Sequence, residues 1–302
     1  MADSPVHTPV RTSEPPREVD VTAELARALL TDQHPDLAGL RIVHVEDGWD
    51  NVMFRLGDAL ALRMPRRMAS APLIVTEQRW LPQIAASLPL PTSAPVRTGA
   101  PGHGYPFRWN VVPWLEGEAS DLAPPDAAQG EVLARFLLAL HQPAPADAPH
   151  NIYRGSIALA DRAETFALRH REAEAMHGAL DPALRRCWEA GAAAPIDAPR
   201  TWFHGDLHGR NVLVKDGRLA GVIDWGDMGA GDAACDLGSI WMLLPDRAAR
   251  RRAMAAYPAS DATWTRARSW AALMTTMLLA IANNPRMPAM GRRMMSWLAA
   301  GP

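Results

Sequence analysis

The sequence predicts a bilobal α+β fold, in which an antiparallel sheet with a helix is followed by a mainly helical part. Between residues 41 and 64, three short apolar runs are separated by turn residues, as in a meander of antiparallel strands. Beyond residue 127, apolar residues recur at helical spacing. The chain has 302 residues, which is long enough for two lobes.

Charge and composition exclude several classes of protein. The formal net charge is −2, whereas a nucleic-acid binder normally shows a basic face, so we expect no nucleic-acid partner. No run reaches the roughly 18 apolar residues that span a bilayer, and the Pro-rich start differs from a signal peptide. Cys187 and Cys235 are far apart and form no metal or redox motif. We therefore expect a cytosolic protein with no membrane contact.

The order of the predicted elements follows from turn residues and apolar spacing. Residues 1–18 are rich in Pro, Ser, Thr and charge and predict a mobile tail. Helical spacing follows over residues 21–30 and 72–88, and strand-like runs at 41–45, 52–56, 60–64, 96 and 107–112. Helices are predicted over 127–141, 156–175, 181–190 and within 241–298.

Polar residues concentrate between residues 203 and 225. The sequence Phe-His-Gly-Asp-Leu-His-Gly-Arg-Asn precedes an apolar strand, an Asp-Gly turn and a second strand that ends on a carboxylate. Such a hairpin brings Asn211 and Asp224 to the same end, with Asp206 nearby on the loop. Two carboxylates and one carboxamide suit Mg²⁺, a hard cation that substrate phosphates usually complete.

Two other interpretations of this stretch are open. Each segment alone could be an ordinary tight turn or the end of a strand. A transition-metal site could be built from His204, Asp206 and His208, since imidazole suits Zn or Fe, and would favour hydrolysis. No further His or Cys lies near in sequence to complete that site.

The pattern His204-Gly-Asp-Leu-His-x-x-Asn211 followed by Ile223-Asp224-Trp225 resembles the catalytic loop and metal-binding segment of the aminoglycoside phosphotransferase family, relatives of the protein kinases that phosphorylate small molecules. The resemblance implies a protein-kinase-like fold with a nucleotide-binding lobe over 19–116 and a catalytic and acceptor-binding lobe over 117–302. It implies that Asp206 is the catalytic base and that Asn211 and Asp224 hold magnesium.

The resemblance extends to a nucleotide site for ATP or GTP. Residues Gly48 to Asn51 lie where kinases carry a glycine-rich loop, although their pattern is thinner. Arg63 takes the place of the phosphate-binding lysine, because the only lysine of the chain is Lys215. A guanidinium can clamp phosphate oxygens in bidentate fashion. Glu77 is the expected helix carboxylate that pairs with Arg63.

Further residues are expected to line or support the site. The sequence Pro-Trp-Leu-Glu-Gly resembles the hinge between the lobes, so backbone groups near Trp114 and Leu115 are expected to bind adenine. Asp236 is expected to support the catalytic loop by hydrogen bonds. Asp227 is expected to contact the metal or the acceptor. His204 and His208 complete this group of supporting or acceptor-contacting residues.

The acceptor is expected to be a hydroxyl of a small molecule. The range of the family favours an antibiotic, aminoglycoside-like, whose cationic groups would need several carboxylates. The sequence offers Glu116, Glu118, Asp121, Asp227 and Asp232. Other antibiotics such as macrolides or nucleosides, and metabolites such as choline, homoserine or a sugar, are alternatives. A nucleotide-binding pseudokinase is an alternative of another class, and the sequence leaves the oligomeric state open.

Overall fold

The structure is a computed structural model that describes residues 16–301. The tail predicted over residues 1–18 therefore lies outside the described residues except for 16–18. There Glu18 is anchored, since its backbone N–H donates to Arg66 O at 2.9 Å and its carboxylate accepts from the Met68 N–H at 2.7 Å. Glu18 is thus held against the segment that directly follows β3.

A five-stranded antiparallel sheet with two helices forms the first part of the described chain. The bounds are α1 Ala23–Gln33, β1 Ile42–Asp47, β2 Asn51–Leu56, β3 Leu60–Pro65, α2 Ala71–Ala85, β4 Arg97–Gly99 and β5 Trp109–Pro113. The strand order is β1-β2-β3-β5-β4, so the predicted meander is confirmed and is extended by β5 and β4. The side chain of Thr22 caps α1 by accepting from the Leu25 N–H.

Helices dominate the chain beyond residue 117, as predicted. Their bounds are α3 Gly130–Leu140, α4 Ala163–His177, α5 Pro182–Ala193, α6 Ala234–Leu237, α7 Ile240–Leu243, α8 Arg247–Ala256, α9 Asp261–Leu279 and α10 Arg286–Ala300. Helix α9 is buried along most of its length and packs against α4, α5, α6 and α10. The recurring methionines and tryptophans of this part serve mainly as core.

Two small antiparallel sheets are interleaved in sequence with these helices. Strands β6 Glu118–Ala119, β8 Val212–Lys215 and β9 Arg218–Val222 form one, in the order β6-β8-β9. Strands β7 Thr201–Phe203 and β10 Gly229–Gly231 form the other. The predicted Asp-Gly hairpin joins β8 to β9, and both turn residues have positive φ (Asp216 50°, Gly217 73°), as a type I′ turn requires.

Helix α2 joins the sheet-bearing part to the helical part. Buried apolar side chains form one cluster beneath α1 and the five-stranded sheet, and a larger one that runs through the helices. Trp80, Leu81 and Ile84 of α2 belong to the larger cluster. Across residues 16–301, every helix is too short or too polar to cross a membrane.

Candidate active site

The loop between β7 and β8 is held in place by hydrogen bonds to a buried carboxylate. Asp236 of α6 accepts the N–H of His204 at 2.6 Å and that of Gly205 at 2.8 Å, and it is fully buried. Gly205 has φ 88° and lies so close to Asp227 that an added Cβ would come within 2.7 Å of the Asp227 carbonyl oxygen. Only glycine fits both conditions without strain. These contacts fix the backbone directly before Asp206.

His204 ties this loop to the segment that carries Asp224. Its Nδ1 accepts from the Asp206 N–H at 3.1 Å, and its Nε2 lies 3.0 Å from Ile223 O as donor. Its ring packs on Trp225 with the ring centroids 4.6 Å apart. Because backbone groups occupy both ring nitrogens, the transition-metal site considered from His204, Asp206 and His208 is not formed. Within the described chain, no cluster of His, Cys, Asp and Glu has the arrangement of such a site.

Three side chains surround the carboxylate of Asp206. Arg154 Nη2 lies 3.0 Å from Oδ1, Asn211 Nδ2 lies 3.0 Å from Oδ2, and His208 Nε2 lies 3.3 Å from Oδ2. Burial raises the pKa of Asp206, but His208 and Arg154 lower it more, so the pKa falls below its ordinary value of 3.8. The side chain keeps 20% exposure. Asp206 is therefore an ionised carboxylate that a ligand can reach.

Asn211 and Asp224 lie at the same end of the hairpin, where the Ile223 N–H donates to Asn211 O at 2.9 Å. The Asn211 amide nitrogen donates to the backbone oxygen of Asp206 at 2.9 Å and to its carboxylate. This leaves the amide oxygen of Asn211 for a cation. Asp224 adopts a left-handed conformation (φ 59°, ψ 70°), and 53% of its side chain is exposed. The two residues thus offer the oxygen donors that suit Mg²⁺.

Arg63 of β3 links this pair to helix α2. Its Nη2 lies 2.5 Å from Asp224 Oδ1, and its Nη1 lies 3.0 Å from Glu77 Oε1. With its amide oxygen facing Arg63, Asn51 accepts from Arg63 Nε at 3.1 Å. Burial raises the pKa of the enclosed Glu77 to about 7, more than the Arg63 guanidinium lowers it. The predicted nucleotide residues Arg63, Glu77 and Asn51 therefore meet beside Asp224.

The other residues expected at the nucleotide lie in the turn between β1 and β2 and directly after β5. Gly48 to Asn51 is a closed turn, since the Gly48 N–H donates to Asn51 O at 2.8 Å. The Trp114 N–H already donates to Ala59 O at 2.8 Å. The Trp114 N–H is therefore not free to bind adenine. Of the backbone groups expected to do so, the carbonyl of Trp114 and the backbone of Leu115 remain.

Arg154 belongs to the site although its sequence context does not indicate it. It lies on the segment between α3 and α4, and its Nη2 contacts both Asp206 and, at 2.5 Å, Asp227 Oδ2. Asn151 also holds Asp227, with Nδ2 3.1 Å from Oδ1. Burial raises the pKa of Asp227 more than Arg154 lowers it. Arg154 is one of 30 arginines and has no distinctive sequence pattern around it, so no local signal could have found it.

Arginines also pair with most of the carboxylates expected to attract a cationic acceptor. Asp121 contacts Arg286 at 2.7 Å, and the buried Asp232 contacts Arg266 at 2.7 Å. The remaining contacts are Asp227 with Arg154 and Glu116 with Arg55, the latter at 3.6 Å. Of the five residues, only Glu118 stands exposed without a direct ion pair among those described.

Comparisons with known proteins identify the family and the fold of the chain. The model of the "Phosphotransferase enzyme family" matches residues 41–270. Solved structures share the fold: the GDP complex of aminoglycoside 2'-phosphotransferase-IIIa has a TM-score of 0.60 at 18% identity, covering 91% of this chain and 97% of that one. Macrolide 2'-phosphotransferase MphH from Brachybacterium faecium has a TM-score of 0.58 at 21% identity, covering 85% and 90%.

A third similar structure is the streptomycin–ATP–APH(2")-IIa ternary complex, with a TM-score of 0.57 at 17% identity, covering 86% of this chain and 91% of that chain. Comparison with curated protein sequences gives no match. The protein-kinase-like fold expected from the sequence is confirmed, with its antiparallel sheet first and its helices after. The family match covers well over half of the chain and includes Asp206, Asn211 and Asp224. The chain therefore belongs to the phosphotransferase enzyme family, and it is a phosphotransferase that acts on a hydroxyl group.

Proposed function

We propose that the protein transfers the γ-phosphoryl group of ATP or GTP to a hydroxyl of a small-molecule antibiotic. The observation that carries the proposal is the position of Asp206: ionised, partly exposed, and bonded through Asn211 to the hairpin end where Asp224 lies. Residues 19–116 bind the nucleotide, and residues 117–302 carry the catalytic loop and the acceptor site.

Asp206 orients the acceptor hydroxyl and takes its proton. A carboxylate with a lowered pKa is a weak base, so Asp206 serves chiefly to hold the hydroxyl in line with the phosphoryl group. Proton transfer comes late, once the bond to the leaving oxygen is largely broken, as in the loose transition state of this reaction. Positioning and charge neutralisation supply most of the catalysis, which is why few residues suffice.

The nucleotide side consists of Arg63, Asn211 and Asp224. The oxygens of Asn211 and Asp224 are those that would hold Mg²⁺. Once bound, Mg²⁺ neutralises charge on the phosphates. Arg63 provides the fixed cation on the donor side and is held in place by Glu77. Structures similar to this chain are described as complexes with GDP, ADP and ATP, which supports a nucleoside triphosphate donor without separating ATP from GTP.

The nature of the similar structures supports an antibiotic acceptor, since they are aminoglycoside and macrolide phosphotransferases. An aminoglycoside-like compound is the acceptor expected from the sequence. Choline, homoserine or a sugar remain candidates by the chemistry of the site, because each carries a hydroxyl. A pseudokinase is disfavoured, since a protein that only binds nucleotide has no use for Asp206 beside Asn211.

Acceptor-dependent nucleotide consumption tests the proposal. The full chain is incubated with ATP or GTP, with and without Mg²⁺, against kanamycin, gentamicin, streptomycin, a macrolide, choline and homoserine. At least one acceptor should raise consumption, with Mg²⁺ required. Asp206→Asn should reduce the turnover number about 10²- to 10⁴-fold, while Asp147→Asn on the exposed surface should leave it unchanged. Full turnover by Asp206→Asn would show that another residue orients the hydroxyl.

A further inference from the structure

A cation of the chain itself lies directly beside the predicted base, between two of the carboxylates expected to attract a cationic acceptor. Arg154 Nη2 bridges Asp206 Oδ1 at 3.0 Å and Asp227 Oδ2 at 2.5 Å. Only 12% of its side chain is exposed. A charge held this firmly between two carboxylates repels a second cation and uses the oxygens that would bind it.

The surrounding carboxylates offer no substitute for this pair. On the side of the catalytic loop that bears Arg210, Glu46 lies 3.6 Å from the Arg210 guanidinium. Asp121 is held by Arg286, with the side chain of Asp121 only 2% exposed. Arg293 adds a third cation there by donating to Asp121 O at 2.8 Å. Arginines therefore pair with Glu46 and Asp121 on this side as well, and the exposed Glu118 lies close enough to Arg286 to raise the pKa of that guanidinium.

The side chains next to Arg154 are mainly apolar. A gap of about 10 Å³ beside Arg154 and Gly205, with room for about one water molecule, is otherwise lined by Cys235 and by the apolar side chains Leu207, Met242, Trp270, Leu273, Met274 and Met277. Ile152 and Tyr153, directly before Arg154, are 47% and 41% exposed. A ligand that approaches Arg154 past Ile152 and Tyr153 therefore meets apolar side chains rather than carboxylates.

Arg154 also keeps a hydrogen-bond donor for an uncharged ligand. Its Nε is buried and has no hydrogen-bond partner within residues 16–301. A buried N–H without a partner is costly. A single oxygen atom that enters the gap, such as a carbonyl, ether or hydroxyl oxygen of an acceptor, would supply the missing partner.

We infer that the acceptor is a hydroxyl compound with an apolar face and no ammonium group near the reacting hydroxyl, and that Arg154 is the residue that sets this preference. The inference rests on the proposed function and narrows its acceptor class away from the polycationic aminoglycosides. Arg154 acts by neutralising Asp206 and Asp227 and by offering its N–H groups to an uncharged oxygen.

Two matched alcohols test the preference of the native protein. Choline and 3,3-dimethyl-1-butanol have nearly the same shape, and only choline is charged. The value of kcat/KM should be at least about tenfold higher for the neutral alcohol, which corresponds to about 1.4 kcal/mol. An equal or higher value for choline would overturn the inference.

Binding of kanamycin without nucleotide provides a test that needs no turnover. By calorimetry, Arg154→Met should bind kanamycin at least about tenfold more tightly than the native chain, and added salt should reduce the gain. If Arg154→Met folds poorly, Arg154→Gln can replace it and should show the same gain in kanamycin affinity. The control Arg79→Met removes an exposed arginine paired with Asp147, changes net charge equally, and should bind as the native chain does.

The outcomes separate this inference from the proposed function. Kanamycin that binds the native chain as tightly as it binds both Arg154 variants would overturn the inference, even where kanamycin is phosphorylated. Absence of nucleotide consumption with every acceptor would overturn the proposed function, while the kanamycin comparison would still decide whether Arg154 excludes cations.

Discussion

Arg63 Nη2 lies 2.5 Å from Asp224 Oδ1, so the buried cation of β3 holds the carboxylate proposed to bind magnesium. The same guanidinium contacts Glu77 at 3.0 Å. The two carboxylates differ in exposure, 53% for Asp224 against 0% for Glu77. Glu77 is therefore the fixed partner, and Asp224 is the partner that can exchange Arg63 for a cation.

Replacing Arg63 should destabilise the protein in a pH-dependent way. Arg63→Met leaves Glu77 buried without a cation, which costs about 3–5 kcal/mol when the carboxylate is ionised. The pKa of Glu77 is already raised to about 7 and should rise further. The folded state then keeps a proton that the unfolded state loses above pH 4.5, so stability falls as pH rises. Urea unfolding should show a larger deficit at pH 8.5 than at pH 6.

A second substitution isolates the cause of that deficit. In Arg63→Met with Glu77→Gln, neither member of this buried pair is charged, and much of the stability at pH 8.5 should return. Arg63→Lys should lie between the native chain and Arg63→Met, because an ammonium keeps the charge but lacks the planar fork. A single Arg63→Met variant as stable as the native chain at pH 8.5 would show that Glu77 does not depend on Arg63.

The sequence reveals those parts of the site that are local in the chain. Asp206, Asn211 and Asp224 lie on one loop and the hairpin after it, so a turn signal and two apolar runs suffice to bring them together. Arg154 lies 52 residues before Asp206, and such a contact depends on packing that no local pattern encodes. The fold class can be predicted in the same way, because the apolar spacing that indicates a strand or a helix is a local pattern in the sequence.

The helix boundaries near the proposed acceptor site are harder to predict, because they also depend on contacts between residues that are distant in sequence. Helix α4 was expected from residue 156 but begins at Ala163. The Ser156 hydroxyl instead accepts from the Asn151 N–H at 3.0 Å and donates to Ala230 O at 2.8 Å. Contacts to β10 therefore hold this segment out of the helix. The helical spacing of the sequence continues through it and gives no sign of the break.

Asp236→Asn should lower both stability and activity. The carboxylate accepts two backbone N–H groups of the catalytic loop, whereas an amide has only one oxygen to accept with. The substitution should reduce the free energy of unfolding by about 1.5–3 kcal/mol and the turnover number by at least about tenfold. Denaturant unfolding and steady-state kinetics measure the two effects.

A helix cap elsewhere provides the control for Asp236. Asp246 accepts from the Ala249 N–H at the start of α8. Asp246→Ala should cost about 1 kcal/mol of stability and leave the turnover number unchanged. A native turnover number in Asp236→Asn would mean that the loop keeps its position without the paired hydrogen bonds.

The pH profile should report the lowered pKa of Asp206. Against burial, His208 and Arg154 keep that pKa below 3.8, so the stability contributed by ionised Asp206 is present above pH 3.8 and lost only as pH falls through the folded-state pKa. The acceptor kcat/KM should therefore show no acid limb from Asp206 down to about pH 5. In Arg154→Met, the limb should move up by about one unit or more.

The control for this profile is again Arg79→Met, which should show the native acid limb. An acid limb at the same pH in the native chain and in Arg154→Met would mean that the Arg154 charge does not act on Asp206. If Arg154→Met is inactive at all pH values, the free energy of unfolding can be measured instead. As the pH is lowered, it should begin to fall at a higher pH in Arg154→Met than in the native chain.

Gly231→Ala should disturb the site through Arg154. An added Cβ at Gly231 would lie 2.0 Å from the carbonyl oxygen of Gly155, the residue after Arg154, so that backbone must move. Such overpacking costs about 1–3 kcal/mol, and the turnover number should fall at least about tenfold as Arg154 leaves Asp206.

The matched control is Gly39→Ala, because an added Cβ at Gly39 meets nothing within 4 Å, and its stability should change by less than about 0.5 kcal/mol. A double variant then tests the route of the effect. If Gly231→Ala acts by displacing Arg154, then adding it to Arg154→Met should reduce the turnover number only slightly more, because residue 154 carries no charge in that variant. Full additivity of the two losses would show instead that Gly231 supports the catalytic loop independently of Arg154.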